Sequence, residues 1–401
     1  MTASSLPIGF QASGTTCGIK ESGKPDLALF VSDRPSAVAG VFAQNRVVGA
    51  PVIVGRERVP AQNARAVILN SGNANACTGE QGLANARQMT ADVAAAIGCE
   101  ETGVLVCSTG IIGVQLPMDV ISAGIPIAVD HLDSNDESFA QAAEAMMTTD
   151  TFAKQISVDV ELSGGVVRVS GAAKGAAMIG PNMATMLCVV MTDAQLTSSQ
   201  CDSFLRFGVD RTFNCITVEG HESTSDSVLL FANGASGNGP ETPDDDVVLR
   251  NAIQKVCEKL ATDIIRDAEG ADHFVTVDVE GFATRESACK VAKEIAESAL
   301  VKTAITGNDP NWGRITSAAG YAGVPFEVEH LSLMINDTEV FRAGTPVDYD
   351  EAALSAQMKD NRDVSLKLTL SGGPESGTES VRFWTSDLTQ EYVRLNSEYT
   401  T

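Results

Sequence analysis

The sequence predicts an α/β protein, layered as α+β, and three observations carry that reading. Short apolar runs rich in Val, Ile and Leu recur along the chain, amphipathic stretches with helical spacing lie between them, and one run, HFVTVDV, is followed directly by such a stretch. In chain order, ARAVILN (64–70), GVLVCS (103–108) and VVRVSG (166–171) read as strands, because β-branched residues suit a pleated, packed surface. TMLCVVMT (185–192) and SVLLFAN (227–233) are two more. ANGASGNGPETPDDD (232–246), dense in Gly, Pro and Asp, reads as a surface loop, since strong patterns resume on both sides. Beyond it Leu249, Ile253, Val256, Leu260 and Ile264 fall on one helical face, and Asp244, Asp245 and Asp246 stand where a helix start favours negative charge. HFVTVDV (273–279) is the next strand. A helix over 284–299 puts Ala288, Val291, Ile295 and Ala299 on one stripe, and VSLKLTL (364–370) is the last strand read. A change of composition near 281 is the best candidate for a domain boundary.

The 401 residues are 44% hydrophobic and 20% charged, enough for one or two globular domains that close over a site. Fifty-two acidic against 28 basic residues give a net charge of -24. That balance argues against a nucleic-acid or anionic-membrane partner, which would need a basic surface. No apolar run reaches the length of a membrane span, and the first 30 residues lack a basic flank followed by an apolar core, so a cytoplasmic enzyme is expected. Nine Cys occur singly, never as Cys-x-x-Cys, and the four His form no His-x-x-x-His pair. Neither a structural zinc site nor a catalytic metal is expected, and no cofactor.

MIGPNMATMLCVVMTDA (178–194) places Thr185 between a small residue and an apolar strand. A Thr hydroxyl needs a base to act as a nucleophile, and His, a depressed Lys or the chain's own α-amine can supply one. No His is near in sequence. The α-amine requires a break before Thr185, which the local residues permit. Ala184 leaves its carbonyl open to the following hydroxyl, and Gly180 and Pro181 constrain the approach. Attack on Ala184 gives an ester, whose hydrolysis frees an N-terminal Thr.

KGAAMIGPNMATML (174–187) resembles the self-cleavage signature of the ornithine acetyltransferases, the glutamate N-acetyltransferase family. ILNSGNANACTG (68–79), CSTGIIGVQLP (107–117), MTTDT (147–151), DRTFNCITVEGHESTSDS (210–227), DAEGA (267–271), DPNWGRI (309–315) and the terminal YVRLNSEYTT match that family in the same order, so the resemblance covers the whole chain. It implies an N-terminal-nucleophile-like, self-cleaving acyltransferase with a catalytic domain over 1–280, a smaller C-terminal α/β domain over 281–380, and a tail, 381–401, that returns to the active site. Chains 1–184 and 185–401 would follow from cleavage between Ala184 and Thr185. Thr185 would then be the nucleophile and Thr109 and Gly110 the oxyanion hole. Thr151, Lys174, Thr185, Glu269, Asn396 and Thr401 would bind substrate, Lys174 through the α-carboxylate and Glu269 through the ammonium of ornithine. Thr148 and Thr149 compete with Thr151 for its place.

The implied reaction moves the acetyl group of N-acetylornithine to glutamate, in arginine biosynthesis, with acetyl-CoA as a further candidate donor. The implied assembly is a heterotetramer of two chains of each kind. An N-terminal-nucleophile aminopeptidase or amidase, in which water resolves the acyl-enzyme, is the alternative. Cys215, His221 and Asp226 are the residue types of a Cys-His-Asp triad, but polar turn chemistry accounts for that segment. VEGHES, Ala268 and Gly180 depart from the usual family pattern, and none removes a hydroxyl, ammonium or carboxylate assigned above.

Overall fold

The computed structural model describes residues 4–180 and 186–398. Its strands are β1 (Phe10–Thr15), β2 (Leu27–Phe42), β3 (Ala61–Asn73), β4 (Val104–Ile111), β5 (Lys154–Leu162), β6 (Gly165–Lys174), β7 (Leu187–Thr192), β8 (Ile216–Thr217) and β9 (Ser227–Ala232), then β10 (Phe274–Phe282), β11 (Leu331–Ile335), β12 (Thr338–Arg342), β13 (Thr345–Pro346), β14 (Asp363–Leu370) and β15 (Ser376–Ser386). The helices are α1 (Ala50–Arg58), α2 (Gly79–Ile97), α3 (Met118–Asp130), α4 (Asp136–Met146), α5 (Ser198–Val209), α6 (Pro243–Arg266), α7 (Arg285–Glu297), α8 (Ala299–Thr306), α9 (Trp312–Gly320), α10 (Glu351–Asp360) and α11 (Gln390–Glu398). They form two compact units, one of residues up to 214 together with 221–264, the other of 215–220 together with residues from 265 onward.

The first unit holds an eight-stranded sheet in the order β4-β3-β2-β9-β7-β6-β5, with β1 added on β2. Strand β2 bends it. Its first half pairs with β3 and its second with β9, and the ladder slips between Val31 and Ser36, around exposed Asp33, Arg34 and Pro35. A proline at a bulge is how a strand interior turns. The two leaves so made share one core. Ala28, Phe30, Val67, Leu69, Leu105 and Cys107 of the first leaf meet Ala172, Val189, Met191, Leu229 and Phe231 of the second, with Phe139 and Met146 of α4. The alternate residues of the first leaf, Leu29, Ile68 and Val106 among them, face α2 and α3 through Met89, Val93, Ile121 and Ile125. This period of two, buried on both faces, is why AVIL (66–69) within that run is apolar throughout. Helix α6 lies on β6 closely enough that a Cβ on Gly171 would stand 2.9 Å from both Leu260 and Val256.

All seven runs read as strands overlap strands, and the α6 stripe is wholly buried. Thr185, at the head of one run, lies outside the described residues. Ala299 departs from its expected stripe. Ser298 ends α7 and caps α8, accepting from Val301 N–H, and leaves Ala299 exposed.

The second unit has a seven-stranded sheet, β13-β12-β11-β14-β10-β15-β8, with β10 between parallel β14 and antiparallel β15. The expected boundary at 280/281 therefore cuts a central strand, and the structure divides the chain at 264/265 instead. The composition change marks the passage from β10 into α7. Residues 381–386, expected in the tail, belong to β15. In DPNWGRI, Asn311 caps α9 and Trp312 stacks on Phe341 with ring centres 5.5 Å apart. Among the described residues no helix is long and apolar enough to cross a membrane, and no cluster of His, Cys, Asp and Glu could hold a metal ion.

Candidate active site

Strand β4 ends in Ser108-Thr109-Gly110-Ile111, beside the parallel end of β3. Ser108 Oγ donates to Asn70 Oδ1 at 2.5 Å and locks the two ends together. Gly110 has φ +130°, and a Cβ there would lie 2.3 Å from the Gly72 carbonyl carbon. Only glycine allows this approach of two backbones.

Lys174, the last residue of β6, is 2% exposed. Its Nζ donates to Thr109 Oγ1 at 3.1 Å and to Thr148 Oγ1 at 2.9 Å. Among the threonines of MTTDT, Thr148 reaches Lys174, and Thr151 is exposed. Asp150, between them, holds the loop. Its Oδ1 accepts Lys154 Nζ and the Gly175 N–H, both at 2.7 Å, and its Oδ2 accepts the Thr148 N–H at 3.0 Å. Burial pushes the Asp150 carboxyl up, but the charges of Lys174 and Lys154 and these hydrogen bonds outweigh it and bring its pKa down to about 2. Lys20 donates to the Met147 carbonyl at 2.7 Å. Burial lowers its pKa to about 8, with the Lys174 charge adding to the fall and Asp26 opposing it.

The start of β7 belongs to the same place. Lys174 pairs in register with Leu187, two residues past Thr185. Met186 N–H donates to Asp226 Oδ1 at 2.7 Å, and Ser227 N–H to the Met186 carbonyl at 3.1 Å. Upstream, Met178 has φ +59°, a left-handed conformation that costs a residue with a Cβ about 1–2 kcal/mol. Ala184, Thr185 and Thr401 lie outside the described residues.

Within the second unit, Asn396 of α11 donates to Glu269 Oε2 at 3.0 Å, which joins two expected binding residues distant in sequence. Gly270 makes this possible, since a Cβ there would meet Tyr392 N at 2.4 Å. The three residues of the alternative triad are otherwise engaged or exposed. Arg285 donates to Cys215 Sγ at 3.7 Å, His221 is exposed, and Asp226 holds Met186.

The sequence reading named Thr109, Gly110 and Lys174. It missed Lys20 and Asp150, and weighed Asp226 only as a member of the alternative triad. The one signal for Asp150 and Asp226 lay in the matched segments, since Asp150 sits in MTTDT and Asp226 in the stretch that leads into β9; Lys20 lies in none of them.

A model of the ArgJ family matches residues 11–401. The arginine biosynthesis bifunctional protein ArgJ of Rhodopirellula baltica is 46% identical, over 100% of this chain and 97% of that protein. Its namesake from Symbiobacterium thermophilum is 44% identical, over 98% of each. A crystal structure of ornithine acetyltransferase complexed with ornithine, from Mycobacterium tuberculosis, is 41% identical, covers 45% of this chain and 96% of that chain, and superposes with a TM-score of 0.43. From the family match and the full-length identities, the chain belongs to the ArgJ family.

Proposed function

We propose that the chain is a self-processing acyltransferase that moves the acetyl group of N-acetylornithine to glutamate. The observation that carries this is that Lys174 bonds Thr109 and pairs in register with Leu187, two residues past Thr185, in a member of the ArgJ family. The Thr185 hydroxyl attacks the Ala184 carbonyl, the amide nitrogen leaves as the α-amine of Thr185, and water cleaves the resulting ester. The free amine then serves as general base for the same hydroxyl, which takes the acetyl group as ornithine departs. Thr109 and Gly110 receive the oxyanion, a contribution of about 3 kcal/mol per donor. Glutamate takes the acetyl group from Thr185 in the second half-reaction, and one site for both steps gives double-displacement kinetics.

Lys174 offers an ammonium to the substrate carboxylate. By the family resemblance Glu269 and Asn396, already bonded to each other, complete the binding set with Thr151 and the terminal Thr401. Acetyl-CoA is a second donor, the assembly holds two chains of each kind, and the setting is cytoplasmic. An acetyl-transfer assay with acetylornithine and acetyl-CoA offered separately tests the donors. Deacylation that glutamate accelerates supports transfer, and deacylation indifferent to glutamate supports an amidase.

A further inference from the structure

Two of the nine cysteines, Cys215 and Cys289, meet within the second unit, and no step of acetyl transfer uses either of them. Cys215 is buried one residue before β8, and Cys289 is half-buried on α7. Strand β8 pairs with β15 through Trp384↔Ile216 and Thr385↔Thr217, and α7 packs on β15 and β10, so sheet and helix bring the two thiols together. Arg285 fixes the approach. It stands one helical turn before Cys289, on the same face, and donates to Cys215 Sγ at 3.7 Å. The two thiols themselves share a hydrogen bond, which puts their sulfurs in contact.

That hydrogen bond, burial and the Cys289 sulfur push the Cys215 thiol up, and Arg285 opposes them. A thiol held protonated is a slow nucleophile. Cys215 is therefore the second to react, and the half-buried Cys289 is the thiol that an oxidant reaches.

We propose that Cys215 and Cys289 form a reversible oxidation site, at which a peroxide joins them as a disulfide that fastens β8 to α7. The Cys289 sulfur attacks a peroxide oxygen, the O–O bond breaks, and Cys289 becomes a sulfenic acid as one water leaves. The Cys215 sulfur then attacks the Cys289 sulfur, the S–S bond forms, the S–O bond breaks, and the hydroxide departs with the Cys215 proton as a second water. Two sulfurs are oxidised and one peroxide is reduced to two waters. A sulfenic acid no longer competes as an anion with Cys215, whereas Arg285 stays in place to favour the Cys215 thiolate. Strand β8 is held in its sheet by two residue pairs, so a covalent bond next to it is a large addition. The bond also closes a loop of about 75 residues in the unfolded chain, the long-loop case in which a cross-link stabilises most.

Full-length wild type and Cys289→Ser are treated with hydrogen peroxide, digested without reductant and mapped by mass spectrometry, and thermal midpoints are measured before and after treatment. The wild type should give peptides joined through Cys215 and Cys289 with two hydrogens lost, a change that dithiothreitol undoes, and a midpoint raised by about 5 °C or more. Cys289→Ser should show neither. Wild-type thiols that both remain open to alkylation, or a Cys289 that advances to a sulfinic acid without joining Cys215, overturn the proposal. A link that leaves the midpoint within about 1 °C of the reduced protein's overturns it too. None of these outcomes depends on how Thr185 reacts.

Discussion

Thr109 accepts the Lys174 ammonium on its oxygen, which leaves its own hydrogen to donate. That division of labour gives a testable expectation. Thr109→Ala should lower kcat for acetyl transfer about 10²–10³-fold with little change in KM, and Thr109→Ser should keep most of the rate. Asp150 carries a second one. Its pKa falls from 3.8 to about 2 on folding, because the two lysine charges outweigh burial. A depressed carboxyl contributes stability that is complete above the unfolded pKa and is lost as pH falls through the folded one. Urea unfolding should therefore show Asp150→Asn less stable by about 2 kcal/mol at pH 7, with the gap closing between about pH 4 and 2. At this scale the sequence named Lys174 and Thr109 by type and family position. It left out Asp150 and set Asp226 aside because a carboxylate in a polar turn looks solvated until the fold buries it.

Strand β4 delivers Gly110 to the site only because its backbone meets that of β3 without a side chain between them. Gly110→Ala should destabilise the protein by more than about 3 kcal/mol and abolish transfer, read by a thermal melt and the same assay. In the second unit, Lys302 of α8 is buried and donates to Thr385 Oγ1 at 2.7 Å and to the Ser386 carbonyl. Burial lowers its pKa from 10.5 to about 7, against the charges of Asp387, Glu219 and Glu297. Between those values the unfolded chain holds the proton and the folded one does not, so this group makes stability rise with pH. The stability of wild type relative to Lys302→Met should climb from about pH 7 to 10.5, by at most about 1.4 kcal/mol per unit. The strands read from the sequence were those buried on both faces, such as β7 and β9, and those that alternate buried with half-buried residues, such as β14. Strand β2 escaped notice because Asp33-Arg34-Pro35 interrupts it, and β15 because its first residues are exposed and polar. The reading of a boundary at 280/281 has another origin, since a change of composition registers where β10 gives way to α7 and not which strands pair.

Across the whole molecule, the cut would fall between β6 and β7, which pair antiparallel from Val169↔Thr192 to Lys174↔Leu187. Strands β9 and β7 of the second fragment lie between β2 and β6 of the first. Two fragments woven into one sheet cannot part without unfolding it, so they should co-elute in size-exclusion chromatography and separate only in denaturant. This interlock was invisible in the sequence, because strand order depends on pairings far apart in the chain. The acidic balance and the family resemblance, by contrast, were legible from the residues alone. The central claim is that Thr185 becomes a chain terminus and then carries the acetyl group. Intact mass spectrometry of the purified protein under denaturing conditions tests it most directly. Fragments corresponding to 1–184 and 185–401, with acetylornithine adding one acetyl group to the second, are the expected result. A single uncut chain, or a Thr185→Ala protein that still splits between residues 184 and 185, would contradict it.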